Sequence, residues 1–196
     1  MGIVLNDSQN LFMLQTRSNS YAFGIDNQGL VRHLYWGSRI NAMEDFEMPE
    51  LAEVSTNDPV YEITKEEFPI YGGLRYKEHC LKVTFADGTR DVAYEYVNYE
   101  IQKNEQCEEL VIILKDKHYA LVMELHYKIY EAYDLMERFV VLKNESTEVM
   151  QIEKLHSGQF HVPYEGLNFR NVHGHWGAEQ QKFVQKVDYG KIIFEN

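Results

Sequence analysis

Two short stretches of this 196-residue chain carry residue types that could handle a ligand. Tyr71-Gly-Gly-Leu-Arg-Tyr-Lys-Glu78 sets two tyrosines, Arg75 and Lys77 around a glycine pair. Glycine permits backbone conformations closed to other residues. Tyrosine with arginine and lysine can read sugar hydroxyls through ring stacking and several hydrogen-bond donors. The plain alternative is a glycine turn entering a surface strand, and spacing alone favours it. In His173-Gly-His175-Trp176-Gly177 two histidines could ligate a metal and Trp176 could stack on a ring. Zinc wants three or four ligands at recognisable spacing, and neither cysteine nor a His-Glu-x-x-His pattern lies nearby. The histidines therefore read as a loop or strand end, with no metal and no cofactor assigned. Trp176 is either a core plug or an apolar platform.

No residue is singled out as catalytic. With 31 Asp and Glu, carboxylate pairs arise by chance, and glycoside chemistry needs two at a fixed separation, one of them held protonated. Asp134, Glu137 and Glu179 read equally well as solvated faces. There is no Gly-x-Ser-x-Gly elbow and no phosphate-cradling glycine loop. The net charge of −12 opposes nucleic acid and anionic membranes as partners. No window is apolar enough to cross a bilayer as a helix, and the N-terminus lacks the pattern of a signal peptide. Cys80 and Cys107 read as reduced thiols, and a cytoplasmic location is expected.

The elements that must position these groups are strands. Residues 119–130 alternate, with Tyr119, Leu121, Met123, Leu125, Tyr127 and Ile129 on one face and Glu124, His126 and Lys128 on the other. Residues 134–143 follow an acidic break, which predicts an antiparallel hairpin. Asp87-Gly88 between residues 80–85 and 90–97 predicts another, and residues 26–29 a third, between 21–25 and 30–36. Further strands are expected at 11–16, 110–114, 149–155, 182–187 and 191–194. The only helical candidate, 43–53, is interrupted by Pro49, and 41–64 should be the least ordered stretch. Such a chain makes one all-β domain over residues 1–196, two antiparallel sheets stacked face to face. The final strand-like residues have no polar tail after them, so a fragment of a longer chain is expected.

The order of the motifs adds a family. Residues 19–40, then Phe-Pro-Ile-Tyr-Gly-Gly-Leu-Arg-Tyr-Lys-Glu-His-Cys-Leu-Lys-Val-Thr-Phe-Ala-Asp-Gly-Thr-Arg-Asp, then residues 173–179, resemble the N-terminal domain of glycoside hydrolase family 36, the bacterial α-galactosidases. The resemblance implies a large galactose mutarotase-like β-supersandwich preceding a (β/α)8 barrel that carries the catalytic aspartates for retaining hydrolysis of terminal α-galactosides. This chain lacks that barrel, and the fragment alone should be inactive. The resemblance further implies packing on the barrel, homo-tetramer assembly and a contribution to the substrate-pocket rim. Near the loop the family pattern resembles Tyr-Gly-x-Gly-Asp-[Phe/Tyr]-Arg. Here Arg75 stands at the Asp position and Lys77 at the Arg position, while Tyr71, Gly72 and Tyr76 are kept. The candidate substrate-binding residues are accordingly Tyr71, Arg75, Tyr76, Lys77 and Trp176.

Two rival readings belong to other classes. A free-standing carbohydrate-binding module would line one exposed groove with Trp36, Trp176 and Tyr71. A mutarotase-like sugar enzyme would need a His and a Glu converging in a cleft, with His126, His156, His161 and Glu124 as the available groups.

Overall fold

A computed structural model describes residues 2–44, 46–48, 65–72, 78–162 and 166–188. They fall into two compact units, residues 1–161 and 162–196. In the first unit the strands run β1 (Ile3–Asn6), β2 (Leu11–Gln15), β3 (Asn19–Ile25), β4 (Val31–Ser38), β5 (Leu81–Thr84), β6 (Tyr94–Lys103), β7 (Glu108–Asp116), β8 (Leu121–Tyr130), β9 (Leu135–Asn144) and β10 (Gln151–Leu155). Strands β1 to β4 form one antiparallel sheet in chain order, β6 to β9 a second, and β5 pairs with β10. Two 3-10 turns, Asp7–Gln9 and Glu131–Tyr133, each end on a left-handed residue, Asn10 (φ 50°) and Asp134 (φ 55°). Asn and Asp tolerate that region better than other side-chain-bearing residues.

The core forms where the two sheets meet. On β8 the face expected from alternation is the buried one: Met123, Leu125 and Tyr127 have no exposed surface, and Leu121 and Ile129 almost none. Across from it, Phe23 on β3 stacks on Tyr127 at 4.8 Å between ring centroids and on Phe12 of β2 at 5.3 Å. Strand β2 breaks the wet-side rule, because all five of its residues are buried. Phe12 and Leu14 join the inter-sheet core, while Leu11 and Met13 pack outward beneath Met43, Phe46 and Met48. Of the helical candidate 43–53, the described residues 43–44 and 46–48 are not helical, and Met43, Phe46 and Met48 cover the outer face of the first sheet. The rest of the stretch expected to be least ordered, 49–64, lies outside the described residues, as does the strand expected at 191–194.

The Asp87-Gly88 turn forms, but the hairpin does not. Gly88 takes φ 86° and its amide donates to the Phe85 carbonyl at 2.9 Å, closing a tight reversal. Beyond it the chain leaves β5. The Ala93 amide donates to the Asp116 carboxylate at 2.8 Å, and β5 pairs instead with β10, Leu81 opposite Leu155 and Thr84 opposite Gln151. An Asp-Gly pair specifies a local reversal. Which edge a strand then takes is decided by competing partners, and β10 also braces the turn through Arg90, whose Nε lies 2.9 Å from Glu153.

The second unit is a hairpin of β11 (Asn168–His175) and β12 (Ala178–Lys186). His173 and His175 lie at the end of β11, the strand-end position expected for them. Trp176-Gly177 forms the connection, with Gly177 at φ 81°. Trp176 is 93% exposed, which removes the core-plug reading and leaves it as a projecting ring. Val172 and Val184 are also more than half exposed.

Candidate functional site

Charged side chains meet at the centre of the first unit, a convergence the sequence analysis did not foresee. The segment Lys65 to Ile70 runs beside β4: the His33 amide donates to the Lys65 carbonyl at 2.8 Å, and the Glu67 amide to the Val31 carbonyl at 3.0 Å. Successive residues of extended chain point to opposite sides, so Glu66 and Glu67 diverge. Glu66 faces Arg32 at 3.3 Å, and Arg32 Nε lies 2.7 Å from Asp26. Glu67 faces the inter-sheet core with no exposed surface. Its carboxylate accepts from the Tyr21 hydroxyl at 2.7 Å and from the Tyr127 hydroxyl at 3.1 Å. It also lies 2.8 Å from His33 Nδ1 and 2.8 Å from the Arg138 guanidinium. Arg138 further donates to the Glu67 and Gln159 carbonyls at 2.6 and 3.2 Å, tying β9 to both distant segments.

Burial works to raise the Glu67 pKa, but the Arg138 charge and the hydrogen bonds from His33 and Tyr21 outweigh it and hold the carboxyl below its ordinary value. Tyr21 and Tyr127 move the other way, pushed up first by burial and also by the Glu67 charge. A carboxyl whose folded pKa is depressed contributes stability that is complete above its unfolded value, about 4.3 for glutamate, and lost as pH falls through the folded one. Glu67→Gln should therefore be less stable than the parent at neutral pH, with the gap narrowing as pH drops below about 4. Urea unfolding midpoints of the two proteins across an acid series test this; a gap that is constant or widens on acidification contradicts it.

The glycine-pair loop starts from a cationic platform. Tyr71, 38% exposed, packs edge-on against His79 at 5.3 Å, and Lys82 Nζ and the Arg90 guanidinium lie 4.9 and 5.5 Å from its ring centroid. Glu153 holds both cations, Lys82 at 3.2 Å and Arg90 at 2.5 Å, and accepts from Thr84 at 2.6 Å. The hydrogen bonds from Arg90 and Thr84 draw its carboxyl down to about 2. Gly72 adopts φ 132°, and a Cβ there would fall on the Asp91 carboxylate, so this position requires glycine. Glu78, on the far side of the loop, is ion-paired with Lys154. Arg75, Tyr76 and Lys77 lie outside the described residues. Trp176 belongs to the second unit.

The arrangement limits the chemistry the described carboxylates can do. Glu66 and Glu67 are buried and face arginines, so neither can attack a sugar or donate a proton to one. His126 on β8 lies 2.8 Å from Glu109 and 3.4 Å from Glu124 and stacks on Phe139, a half-buried set on the open face of the second sheet. Of the groups named for a mutarotase-like site, His126 and Glu124 thus meet on this sheet face, while His161 bonds the Glu66 carbonyl at 2.9 Å. Trp36 packs with Tyr21 and Phe160, while Tyr71 packs with His79, so these two rings do not share a groove. The missed centre did leave one sequence signal. Arg138 falls in phase with Met136, Val140 and Leu142, the inward residues of β9, and a charge at an apolar position needs a buried partner.

Two packed antiparallel sheets joined by a buried ionic centre define an all-β sandwich domain of the supersandwich class. The sequence pattern of the glycosyl hydrolase family 36 N-terminal domain matches residues 29–196, and the chain belongs to that family. It is 25% identical to a probable alpha-galactosidase G of Aspergillus terreus, over 91% of this chain and 26% of that protein. It is 23% identical to the bifunctional alpha-galactosidase/sucrose kinase AgaSK of Mediterraneibacter gnavus, over 99% of this chain and 23% of that one. Among solved structures, the GH36 alpha-galactosidase AgaB of Geobacillus stearothermophilus superposes with a TM-score of 0.83 at 20% identity, covering 97% of this chain and 29% of that one. The alpha-galactosidase of Lactobacillus brevis gives 0.81 at 22% identity, covering 94% and 28%. The chain thus spans about a quarter of the length of the curated relatives it matches.

Proposed function

We propose that this chain acts as the non-catalytic N-terminal domain of a cytoplasmic, homo-tetrameric α-galactosidase that hydrolyses terminal α-galactosides of the melibiose and raffinose type with retention. In this reading the domain supports a catalytic barrel and the oligomer, and its 71–78 loop contributes to the rim of the substrate pocket. The observation that carries it is the family match over residues 29–196, together with relatives that are α-galactosidases. One of them, AgaA of Geobacillus stearothermophilus, has been crystallised as variants in complex with raffinose and with stachyose. Two features of the chain favour a supporting role. The β11–β12 hairpin holds Val172, Val184 and Trp176 out to solvent, and an isolated two-stranded ribbon is marginal in water until something covers it. The Tyr71 ring has Lys82 and Arg90 beside it, both held by Glu153, at the start of a sequence stretch that carries Arg75 and Lys77.

Release of p-nitrophenol from p-nitrophenyl α-galactoside tests the division of labour. The 196-residue chain alone should give none above buffer, whereas the natural full-length polypeptide carrying these residues should turn the substrate over. Turnover by the short chain would overturn the non-catalytic role. A full-length protein active only on another α-glycoside would overturn the substrate.

A further inference from the structure

A cleft of about 330 Å³ opens on the first unit between β3, β4, the end of β9 and the chain at Phe160. Its walls are aromatic and lie at the surface: Trp36 is 42% and Phe160 49% exposed, with ring centroids 5.7 Å apart and planes 48° apart. Tyr21 meets Trp36 edge-on at 6.2 Å and closes the inner end. These walls are anchored to the buried centre. The Tyr21 hydroxyl is fixed by Glu67, and the Arg138 guanidinium lies 5.5 Å from the Phe160 ring while binding the neighbouring Gln159 carbonyl.

The rim is polar and also held in place. Asp134, left-handed at φ 55°, has its carboxylate bound by the Ser18 hydroxyl and, at 2.9 Å, by the Ser18 amide, across 116 residues of sequence. Asn19, also part of the lining, donates its side-chain amide to the Ser18 hydroxyl at 2.9 Å. Rings that present apolar faces beside a few fixed polar groups are the usual make-up of a small-molecule site. Rigid walls reduce what binding costs in ordering. A carboxylate at the rim of an acidic protein disfavours anions, and the mix of ring faces with hydrogen-bonding groups disfavours a purely apolar guest.

We propose that this cleft binds one pyranose ring of a neutral saccharide, with Trp36 and Phe160 flanking the C–H face of the sugar and Asp134 and Asn19 taking its hydroxyls. A pyranose has that double character, hydrocarbon on its face and hydroxyls around its edge. The site goes beyond the supporting role above and does not depend on it, since it uses neither the 71–78 loop nor the second unit.

The chain contains two tryptophans, Trp36 and Trp176, so Trp176→Phe leaves Trp36 as the only indole reporter. Titration of that variant with methyl α-galactoside, melibiose and raffinose should give a saturable fluorescence change with a millimolar-range Kd, and glycerol at equal concentration should give none. Saturation-transfer NMR then compares variants of the otherwise unaltered chain. Trp36→Ala should abolish the sugar signal, and Asp134→Asn, which keeps the shape of the side chain, should weaken binding about tenfold. Thermal melts are run on both variants, and Asp134→Asn supplies the comparison if Trp36→Ala is unfolded. A non-saturable response, a response equal to that of glycerol, or unchanged binding in folded Trp36→Ala or in Asp134→Asn overturns the proposal.

Discussion

Arg138→Met should cost about 3–5 kcal/mol of folding stability, the range for removing one member of a buried ion pair. For a chain of this size that corresponds to a melting temperature lower by roughly 6–20 °C. The reason lies in what remains behind. The Arg138 side chain is 2% exposed and provides the positive charge 2.8 Å from a carboxylate that has no exposure at all. Methionine fills similar volume but leaves Glu67 ionised in the core, supported only by Tyr21, Tyr127 and His33. It also removes the Arg138 hydrogen bonds to the Glu67 and Gln159 carbonyls. Adding Glu67→Leu to Arg138→Met should restore much of the loss, because exchanging a whole buried pair for apolar residues is often neutral or stabilising. Urea unfolding of the single and double variants checks both statements. A single variant within about 1 kcal/mol of the parent would mean that water reaches the centre and the pair contributes no more than a surface one.

Phe23→Ala is expected to be comparably damaging, about 3–5 kcal/mol, through a different mechanism. Phe23 has no exposed surface and stacks between Phe12 of its own sheet and Tyr127 of the facing one. Truncation removes the apolar transfer energy of the ring and opens a cavity at the layer where the two sheets meet, where neither can collapse inward without breaking its ladder. Phe23→Leu should lose appreciably less, since it keeps most of the volume. Denaturant midpoints at an unchanged slope are the readout, because a change in slope would signal an altered unfolded state or a populated intermediate. The two sites share Tyr21 and Tyr127 as neighbours, so the losses of a Phe23→Ala, Arg138→Met double variant should not simply add.

These effects trace to features of unequal visibility in the chain. Tyr119 to Tyr130 displayed its buried face in plain alternation, and the bracketing of residues 26–29 and 131–134 announced their reversals, because neighbours along a strand carry that information themselves. The order of the 19–40, 68–91 and 173–179 motifs was enough to indicate the family and its all-β sandwich. Even Arg138 stood out as a charge in phase with the inward residues of its own strand, a conflict readable without coordinates once charge at an inward position is taken as a demand for a partner.

What that partner is could come only from the folded chain. Glu67 and Arg138 are separated by 71 positions, and nothing local distinguishes Glu67 from Glu66, which turns to the other side and faces Arg32. The same holds for β5, whose Asp-Gly turn formed as expected while its edge went to β10, and for Trp36, which found Phe160 rather than Tyr71. Periodicity and turn chemistry are properties of a few consecutive residues. Edge choice and the meeting of buried charges are competitions among segments far apart in sequence, settled by the packing of the two sheets.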